Sequence, residues 1–333
     1  MTEIKEGDVL LQVEGLTTYF FTEAGIVKAV EDVSYDVRKG ESVGLVGESG
    51  SGKTVSALSV MRIVPKPGRI LQGRVNYAGE DLLMKSEEEM RKIRGSRIAM
   101  IFQDPTSSLN PVYSVETQLT EIMRQHQDLT REEAKDRARK LLELVGIPEA
   151  EKRLSEYPHQ FSGGMKQRIC IARALALEPD LLFGDEPTTN LDVTIQAQVL
   201  ELLKKLQKDL HMSLVMITHD MGIIADMTQR VVVLYAGRVA EVSRTYDLYK
   251  HPRHPYTEAL LAAVPRLDKR KVLEVIPGNI PNLIDPPSGC RFHPRCKYAT
   301  EICKEKVPQL EDSGDGHLVA CHHWRELSLR AEE

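Results

Sequence analysis

The sequence predicts an α/β fold with a largely parallel sheet, and three observations support this. Short apolar runs typical of buried strands occur at 42–46, 97–102, 181–184 and 213–217. Helical patterns lie between these runs, and the run at 42–46 leads directly into a glycine-rich loop. Strands that are joined by helices pair in parallel, with helices on both faces of the sheet.

The other elements follow from the same hydrophobic pattern. Residues 9–46 alternate as short strands. The remaining elements are a helix at about 53–63, a helical stretch at about 114–146, helices at 163–177 and 194–210, and a hairpin with strands 231–235 and 238–242. The helical stretch interrupts the alternation of strands and helices and predicts an inserted helical subdomain over about 104–177.

The character of the sequence changes after about residue 250. Prolines recur from there on and break any long element. We therefore expect a first domain over 1–250 and a small, irregular C-terminal domain over 251–333. Such a segment can hardly supply its own hydrophobic core, so we expect it to need a staple, that is, a cross-link that stabilises a small domain.

Composition limits the class of protein. The 333 residues are 41% hydrophobic and 28% charged, as in a soluble protein of about two domains. The net charge of −5 gives no basic field for nucleic acid. No apolar run approaches the roughly 18–20 residues that span a bilayer, and the acidic start does not resemble a signal peptide. We expect a cytoplasmic location, with any membrane role coming through a partner.

The loop Gly47–Thr54 fits the phosphate-binding pattern G-x-x-x-x-G-K-[ST] at every fixed position. Its glycines allow backbone N–H groups to turn towards phosphate oxygens, and the following helix adds positive potential at its N-terminus. In this pattern Lys53 reaches the β- and γ-phosphates and the Thr54 hydroxyl binds Mg²⁺. The sequence therefore predicts a nucleotide site that contains Mg²⁺.

Two carboxylates follow the apolar run at 181–184, namely Asp185 and Glu186. Ligands of open α/β sheets bind at the carboxyl ends of the strands, so these side chains are placed for chemistry. Asp185 is suited to holding Mg²⁺ through water, and Glu186 is suited to polarising an attacking water.

A second possible anion site lies at Ser162-Gly163-Gly164, where a serine and two glycines begin a helix. Ser162 is also a good N-cap. Since one phosphate loop is already present, a second anion site is best explained if it contacts the nucleotide that is bound by a facing subunit.

These motifs together resemble those of ABC transporter ATPases over about residues 9–260. Ser162–Gln167 is similar to the family signature, although Phe161 and Met165 replace the usual Leu and Gln. The other motifs are the Q-loop glutamine Gln103, the D-loop Asn190-Leu191-Asp192, the switch histidine His219, and Phe20 as the aromatic that stacks on adenine, with Tyr19 as the alternative. The resemblance implies a P-loop NTPase (RecA-like) ABC cassette with an antiparallel β subdomain.

The resemblance also implies the roles of the site residues. The catalytic residues would be Glu186, His219 and Gln103. The residues that contact ATP or Mg²⁺ would be Phe20, Tyr19, Gly47, Ser49, Gly50, Gly52, Lys53, Thr54, Gln103, Asp185, Ser162, Gly163, Gly164, Gln167 and Asp192.

Four of the five cysteines are crowded near the C-terminus, at Cys290, Cys296, Cys303 and Cys321. In a reducing compartment such clustering favours a metal site over disulfides. The segment Gly289–Ala299 resembles the C-terminal extension of oligopeptide and dipeptide importer ATPases, and this resemblance implies a [4Fe–4S] cluster, with zinc as the alternative. Three neighbouring histidines could each replace a cysteine ligand, namely His293, His322 and His323. The fifth cysteine, Cys170, is expected to be an apolar packing residue.

The resemblance to importer ATPases implies a function and a set of partners. The chain would hydrolyse ATP to drive a di- or oligopeptide importer from the cytoplasmic face of the cell membrane. Its partners would be a second, related ATPase in a heterodimer, two transmembrane permease subunits and an extracytoplasmic binding protein, with no nucleic acid. The alternatives are another cargo (nickel or an oligosaccharide), a soluble ABC ATPase outside transport, and a metabolic kinase that shares only the phosphate loop.

Overall fold

The structure is a computed structural model and describes residues 5, 7–189, 191–264 and 276–329. The strands are β1 Val9–Thr22, β2 Gly25–Arg38, β3 Ser42–Val46, β4 Gly68–Tyr77, β5 Glu80–Asp81, β6 Ile98–Ile101, β7 Leu181–Asp185, β8 Ser213–Thr218, β9 Arg230–Tyr235, β10 Arg238–Arg244, β11 Glu311–Asp312 and β12 Leu318–Val319. The helices are α1 Lys53–Val60, α2 Glu87–Ile93, α3 Pro105–Ser108, α4 Val115–His126, α5 Arg131–Leu144, α6 Ala150–Arg153, α7 Gly163–Leu175, α8 Val193–Asp209, α9 Met221–Met227, α10 Thr245–Lys250, α11 Pro255–Ala262 and α12 Glu301–Glu305.

The chain forms two compact units. The first unit comprises Met1–Met84 and Met216–Glu333, and the second comprises Lys85–Val215. The chain leaves the first unit after Met84 and returns to it within β8.

The first unit contains an antiparallel sheet in the order β2-β1-β4-β5. The strands β1 and β2 have 14 residues each and are longer than the short strands predicted over 9–46. Their pairing shifts register at several points, as between Val13 and Leu16. These irregularities interrupt the alternation of apolar and polar residues, so the sequence suggests shorter pieces than the backbone forms.

The first unit also contains the strands β11-β12-β10-β9-β3 in that spatial order. The strands β3 and β9 pair in parallel, while β9 and β10 form the predicted hairpin. All five residues of β3 are buried, as expected for a strand inside a sheet. The glycine-rich loop leaves the carboxyl end of β3 and leads into α1, which packs on β1 and β2.

The second unit contains the parallel pair β6 and β7 and most of the helices. The helices α4, α5 and α7 pack on one another. On α5, Ala134, Ala138 and Leu142 are buried at helical spacing, and Thr130 and Glu133 form a capping box at its N-terminus. The α/β class and the helices of the predicted helical stretch are confirmed.

Among the described residues, no helix combines the length and the apolar character that crossing a membrane requires.

Candidate active site

The glycine-rich loop of the first unit needs its glycines for steric reasons. Gly47 has a φ of 151°, and a Cβ there would lie 2.1 Å from the carbonyl oxygen of Leu234. Gly52 has a φ of 99°, and a Cβ there would lie 2.4 Å from the carbonyl oxygen of Ala29. Any side chain at either position would clash with backbone, so the loop is pressed against β2 and β9.

Lys53, the first residue of α1, is buried with its ammonium group inside the loop. Its Nζ donates to the carbonyl oxygens of Gly47 and Glu48 over 2.7 and 3.0 Å. The turn between β9 and β10 braces the other side, because the Gly237 N–H donates to the Ser51 carbonyl over 2.9 Å. The loop therefore holds a positive charge at its centre.

The two aromatic candidates for adenine alternate along β1 and make different contacts. The Tyr19 hydroxyl donates to Oε1 of Glu31 over 3.0 Å. The Phe20 ring lies against the backbone of Gly68, where a Cβ would come within 2.8 Å of the ring edge. Both side chains are partly exposed. Which ring stacks on adenine stays a prediction.

His219 also lies in the first unit, directly after the carboxyl end of β8. It is exposed, and the next residue, Asp220, caps α9 by accepting from the Gly222 N–H over 2.7 Å. His219 is therefore held between a strand end and a capped helix.

In the second unit, Asp185 and Glu186 occupy the carboxyl end of β7. Asp185 is 4% exposed. Glu186 has a φ of 44°, in the left-handed region that non-glycine residues rarely adopt. Its Oε2 accepts from Gln103 Nε2 over 2.9 Å and from Thr189 Oγ1 over 3.0 Å. The structure thus brings two predicted catalytic residues together and adds Thr189, which no sequence motif indicated.

The predicted second anion site begins α7. Ser162 caps this helix, with its hydroxyl accepting from the Met165 N–H over 3.4 Å. Gly164 packs so closely that a Cβ would lie 2.6 Å from Cγ2 of Ile195. Gln167 is only 1% exposed, and its place among the nucleotide contacts stays a prediction.

The predicted D-loop is described in part. Asn190 lies outside the described residues. Asp192 is exposed and caps α8, since its side chain accepts from the Ile195 N–H over 3.0 Å.

The first unit contains a second group of contacts at the glycine-rich loop that the motif did not indicate. Glu48 forms an ion pair with Arg295, and its backbone N–H donates to the Tyr256 hydroxyl. The motif leaves position 48 unspecified, and both partners are more than 200 positions away.

Comparison with known proteins identifies the family. A family model described as "ABC transporter" matches residues 30–189, and one described as "Oligopeptide/dipeptide transporter, C-terminal region" matches residues 240–303. The dipeptide transport ATP-binding protein DppD of Escherichia coli (strain K12) is 47% identical over 94% of this chain and 96% of its own length. The oligopeptide transport ATP-binding protein OppD of Bacillus subtilis (strain 168) is 48% identical over 93% of this chain and 87% of its own length.

Solved structures agree with this. The ATP-binding cassette MJ0796, described as dimeric in a post-hydrolysis state with ADP and Pi, has a TM-score of 0.64 and is 26% identical. The match covers 71% of this chain and 98% of that one. The protein cbiO1 of Clostridium perfringens, described as part of an ABC transporter complex, gives a TM-score of 0.62 at 27% identity, over 73% of this chain and 91% of that one.

The prediction of an iron–sulfur or other metal site was wrong. Cys290, Cys296, Cys303 and Cys321 do line one small cavity of about 20 Å³. Within the described part of the chain, however, no three or more His, Cys, Asp or Glu side chains are arranged to hold a metal ion. The peptide-transport relatives named above carry no iron–sulfur description either.

The physical reason is that spacing brings thiols near one another without fixing the geometry that a metal requires. Burial raises the pKa of Cys290 to about 11 and that of Cys321 to about 12. The neighbouring arginines connect the segment to the rest of the first unit, because Arg291 pairs with Glu31 and Arg295 pairs with Glu48. Cys170 is buried, as expected.

The fold, the motifs and the extent of these matches show that the chain belongs to the ABC transporter family of ATP-binding and ATP-hydrolysing proteins, in the branch that carries the oligopeptide/dipeptide C-terminal region.

Proposed function

We propose that this chain powers the import of di- or oligopeptides by binding and hydrolysing ATP at the cytoplasmic face of a membrane. One observation carries this proposal: the identity with dipeptide and oligopeptide transport ATP-binding proteins runs through the cassette and the C-terminal region alike. Both of these relatives are named for peptide transport, which favours peptides over nickel or oligosaccharides.

Gly47–Thr54 would bind the triphosphate. The backbone of the loop is shaped by Gly47 and Gly52, and Lys53 supplies a positive charge at its centre. Thr54 and Asp185 would hold Mg²⁺, which neutralises charge on the phosphate oxygens when bound. Phe20 would stack on adenine, with Tyr19 as the alternative.

Glu186 would act as the general base. Its carboxylate is held by Gln103 and Thr189, so that one oxygen is fixed and the group keeps a defined orientation. Accepting a proton from the attacking water would generate the nucleophile, and His219 would contact the γ-phosphate. Positioned groups of this kind contribute about 10²–10⁴-fold to the rate.

The second anion site would serve a nucleotide held by a facing subunit. Ser162 and Gly163 are exposed at the start of α7, as such a role requires. Gly164, Gln167 and Asp192 would complete this face. The cassette MJ0796 is described as dimeric, which supports a head-to-tail pair with ATP between the subunits. We propose that the facing subunit is a related but non-identical ATPase.

The remaining partners would be two transmembrane permease subunits and an extracytoplasmic binding protein. We propose an ATPase domain over 1–250, whose helical subdomain at about 104–177 transmits closure of the dimer to the permeases. The C-terminal domain over 251–333 would be the peptide-importer extension. Attachment to the permeases would hold the chain at the membrane as a peripheral subunit.

Uptake by reconstituted vesicles tests the proposal. The chain would be co-purified with the second ATPase, the permeases and the binding protein, and incorporated into liposomes. We expect ATP-dependent uptake of a radiolabelled dipeptide, and no uptake when the chain carries Lys53→Ala. Uptake of Ni²⁺ or an oligosaccharide in place of the dipeptide would contradict the peptide assignment while leaving the ATPase role intact.

A further inference from the structure

Glu48 links the nucleotide loop to the C-terminal segment through both its side chain and its backbone. Oε2 of Glu48 accepts from Nη1 of Arg295 over 2.6 Å, and Oε1 accepts from Nη2 over 3.1 Å. The Glu48 N–H donates to the hydroxyl oxygen of Tyr256 over 2.8 Å. A bidentate pair between a guanidinium and a carboxylate is strong and fixes orientation as well as distance.

Arg295 is itself rigidly held. Its side chain is 5% exposed, and its Nε donates to the Pro277 carbonyl over 2.9 Å. The guanidinium also lies 5.8 Å from the centroid of the Tyr235 ring. An arginine with this many fixed contacts has lost its rotamer freedom before it meets Glu48. It can therefore define where the loop lies.

Tyr256 is held equally firmly. It is fully buried, and its ring packs against Tyr235 and Phe292 at centroid distances of 4.6 and 5.3 Å. The helix α11 that carries it is capped by His254, whose Nδ1 accepts from the Tyr256 N–H over 3.0 Å. The hydroxyl group is thus presented to Glu48 by a packed aromatic cluster rather than by a mobile loop.

A second arginine of the same segment braces the other side of the loop. Arg291 donates to the carbonyl of Ala236 and pairs with Glu31. The neighbouring Gly237 donates its N–H to the Ser51 carbonyl and accepts from the Glu31 N–H over 2.8 Å. Arg295 therefore contacts the loop directly at Glu48, whereas Arg291 acts on it through the turn at 236–237.

These contacts reach the group that would bind phosphate. The Glu48 carbonyl accepts from Lys53 Nζ over 3.0 Å, so a shift of Glu48 moves an acceptor of the loop lysine. We propose that Arg295 and Tyr256 are positioning residues for the nucleotide loop, and that through Glu48 the C-terminal segment sets the affinity for ATP. This inference rests on the proposed role of Gly47–Thr54 in binding ATP.

The test measures the Kd of the full-length purified chain for a fluorescent ATP analogue at a temperature well below unfolding. Arg295→Gln removes the charged pair, and Glu48→Gln removes its partner. We expect each to weaken binding about tenfold, equivalent to about 1.4 kcal/mol. The double variant should bind the analogue about as tightly as the weaker-binding single variant, because both changes break the same contact.

Tyr256→Phe keeps the aromatic cluster and removes only the hydroxyl. It is the informative variant if Arg295→Gln does not fold, and we expect binding about threefold weaker, since one backbone hydrogen bond is lost. Arg295→Lys keeps the charge without the bidentate geometry and should give an intermediate Kd. The matched control is Arg325→Gln, which breaks an exposed ion pair with Glu311 within the C-terminal segment and should bind as wild type.

A merely structural role is distinguished by the thermal shift that ATP produces. A destabilised but correctly positioned loop would melt earlier yet keep the full shift, whereas weaker binding reduces the shift itself. Folded Arg295→Gln and Tyr256→Phe variants with the wild-type Kd and full shift would overturn the inference. Failure of the folded wild type and Arg325→Gln to bind ATP at all would instead overturn the proposed function.

Discussion

Gln103 donates from Nε2 to Oε2 of Glu186 over 2.9 Å, although the two residues are 83 positions apart. The contact joins the second residue after β6 to the first residue after β7, and these two strands pair in parallel. Their carboxyl ends therefore meet at one edge, which places an amide donor beside the carboxylate. The backbone of Glu186 is left-handed, so its orientation is set by the surrounding contacts rather than by its own preference.

The first prediction concerns Glu186, the proposed general base. Glu186→Gln keeps the size of the side chain and an oxygen that can accept from Gln103, so we expect the local geometry to persist. ATP binding should be retained, while turnover by the assembled transporter should fall at least about 10²-fold, because an amide cannot accept the proton. Phosphate release and binding of a fluorescent ATP analogue measure the two effects separately.

Thr189→Val is the graded comparison for this prediction. It removes one hydrogen bond to the carboxylate and leaves the base in place, so its loss of turnover should be smaller than that of Glu186→Gln. Normal hydrolysis by the Glu186→Gln transporter would remove Glu186 from the role of base.

The second prediction concerns Lys53. Lys53→Ala removes the ammonium group from the centre of the loop and should weaken ATP binding at least about tenfold, because the triphosphate loses a charge-assisted contact. Isothermal titration with ATP measures the change. Lys304→Ala removes an equal charge from an exposed pair with Glu301 and should bind ATP normally. Equal affinities for the Lys53→Ala and Lys304→Ala proteins would argue against Lys53 as a phosphate ligand.

The third prediction is a pH dependence of stability. His254 is 3% exposed, and burial lowers its pKa from 6.5 to about 4, while the charge of Glu241 acts in the opposite direction. The unfolded chain therefore binds a proton below about pH 6.5 that the folded chain resists until about pH 4. The stabilisation is complete above pH 6.5 and is lost as the pH falls through this window. The loss is on the order of 3 kcal/mol.

Urea unfolding at several pH values measures this term. Carboxylates add their own pH dependence, so the comparison is with His254→Asn, which can still cap α11 but does not titrate. We expect the free energy of unfolding of the variant to fall less steeply between pH 6.5 and 4.5. Equal slopes for the two proteins would mean that His254 does not contribute the pH-dependent term.

Much of the fold and of the candidate site could be predicted from local sequence patterns. The phosphate loop needs glycine where backbone presses on Gly47 and Gly52, and that requirement appears directly in the residue types. The strands β3, β6 and β7 were predictable, with their carboxyl ends correct to within one residue, because buried parallel strands are short apolar runs. Site residues that follow such strands, such as Gln103 and Glu186, inherit their positions from this rule.

Contacts between distant segments were not predictable in the same way. The pair of Glu48 and Arg295 joins residues 247 positions apart, and nothing near either residue specifies the other. The cysteine cluster led to the wrong prediction of a metal site for a related reason, because sequence spacing predicts that thiols are near one another and does not predict coordination geometry. The strand β4 was missed because six of its ten residues are glycine or carry polar or charged side chains, so no clean alternation marks it.

The last prediction compares two adjacent glycines at the start of α7. A Cβ on Gly164 would lie 2.6 Å from Cγ2 of Ile195, whereas a Cβ on Gly163 would meet Leu191 at an ordinary 3.7 Å. Ile195 is β-branched and stiff about χ1, so it can give way only by moving α8 or adopting a poor rotamer. Gly164→Ala should therefore destabilise the chain by about 1–3 kcal/mol.

Gly163→Ala is the matched control for stability. Alanine favours the helix by up to about 1 kcal/mol over glycine and finds room at this position, so the variant should be as stable as wild type or slightly more. Urea unfolding of both proteins gives the comparison, and the Ile195→Val background provides a second check. Valine lacks only Cδ1 and keeps Cγ2, so it should not rescue Gly164→Ala, whereas Ile195→Ala should. The contrary result is that Gly164→Ala is as stable as Gly163→Ala in the wild-type background. That result would show that close packing of α7 on α8 is not the reason for glycine at position 164. The requirement for glycine would then have to come from the facing nucleotide.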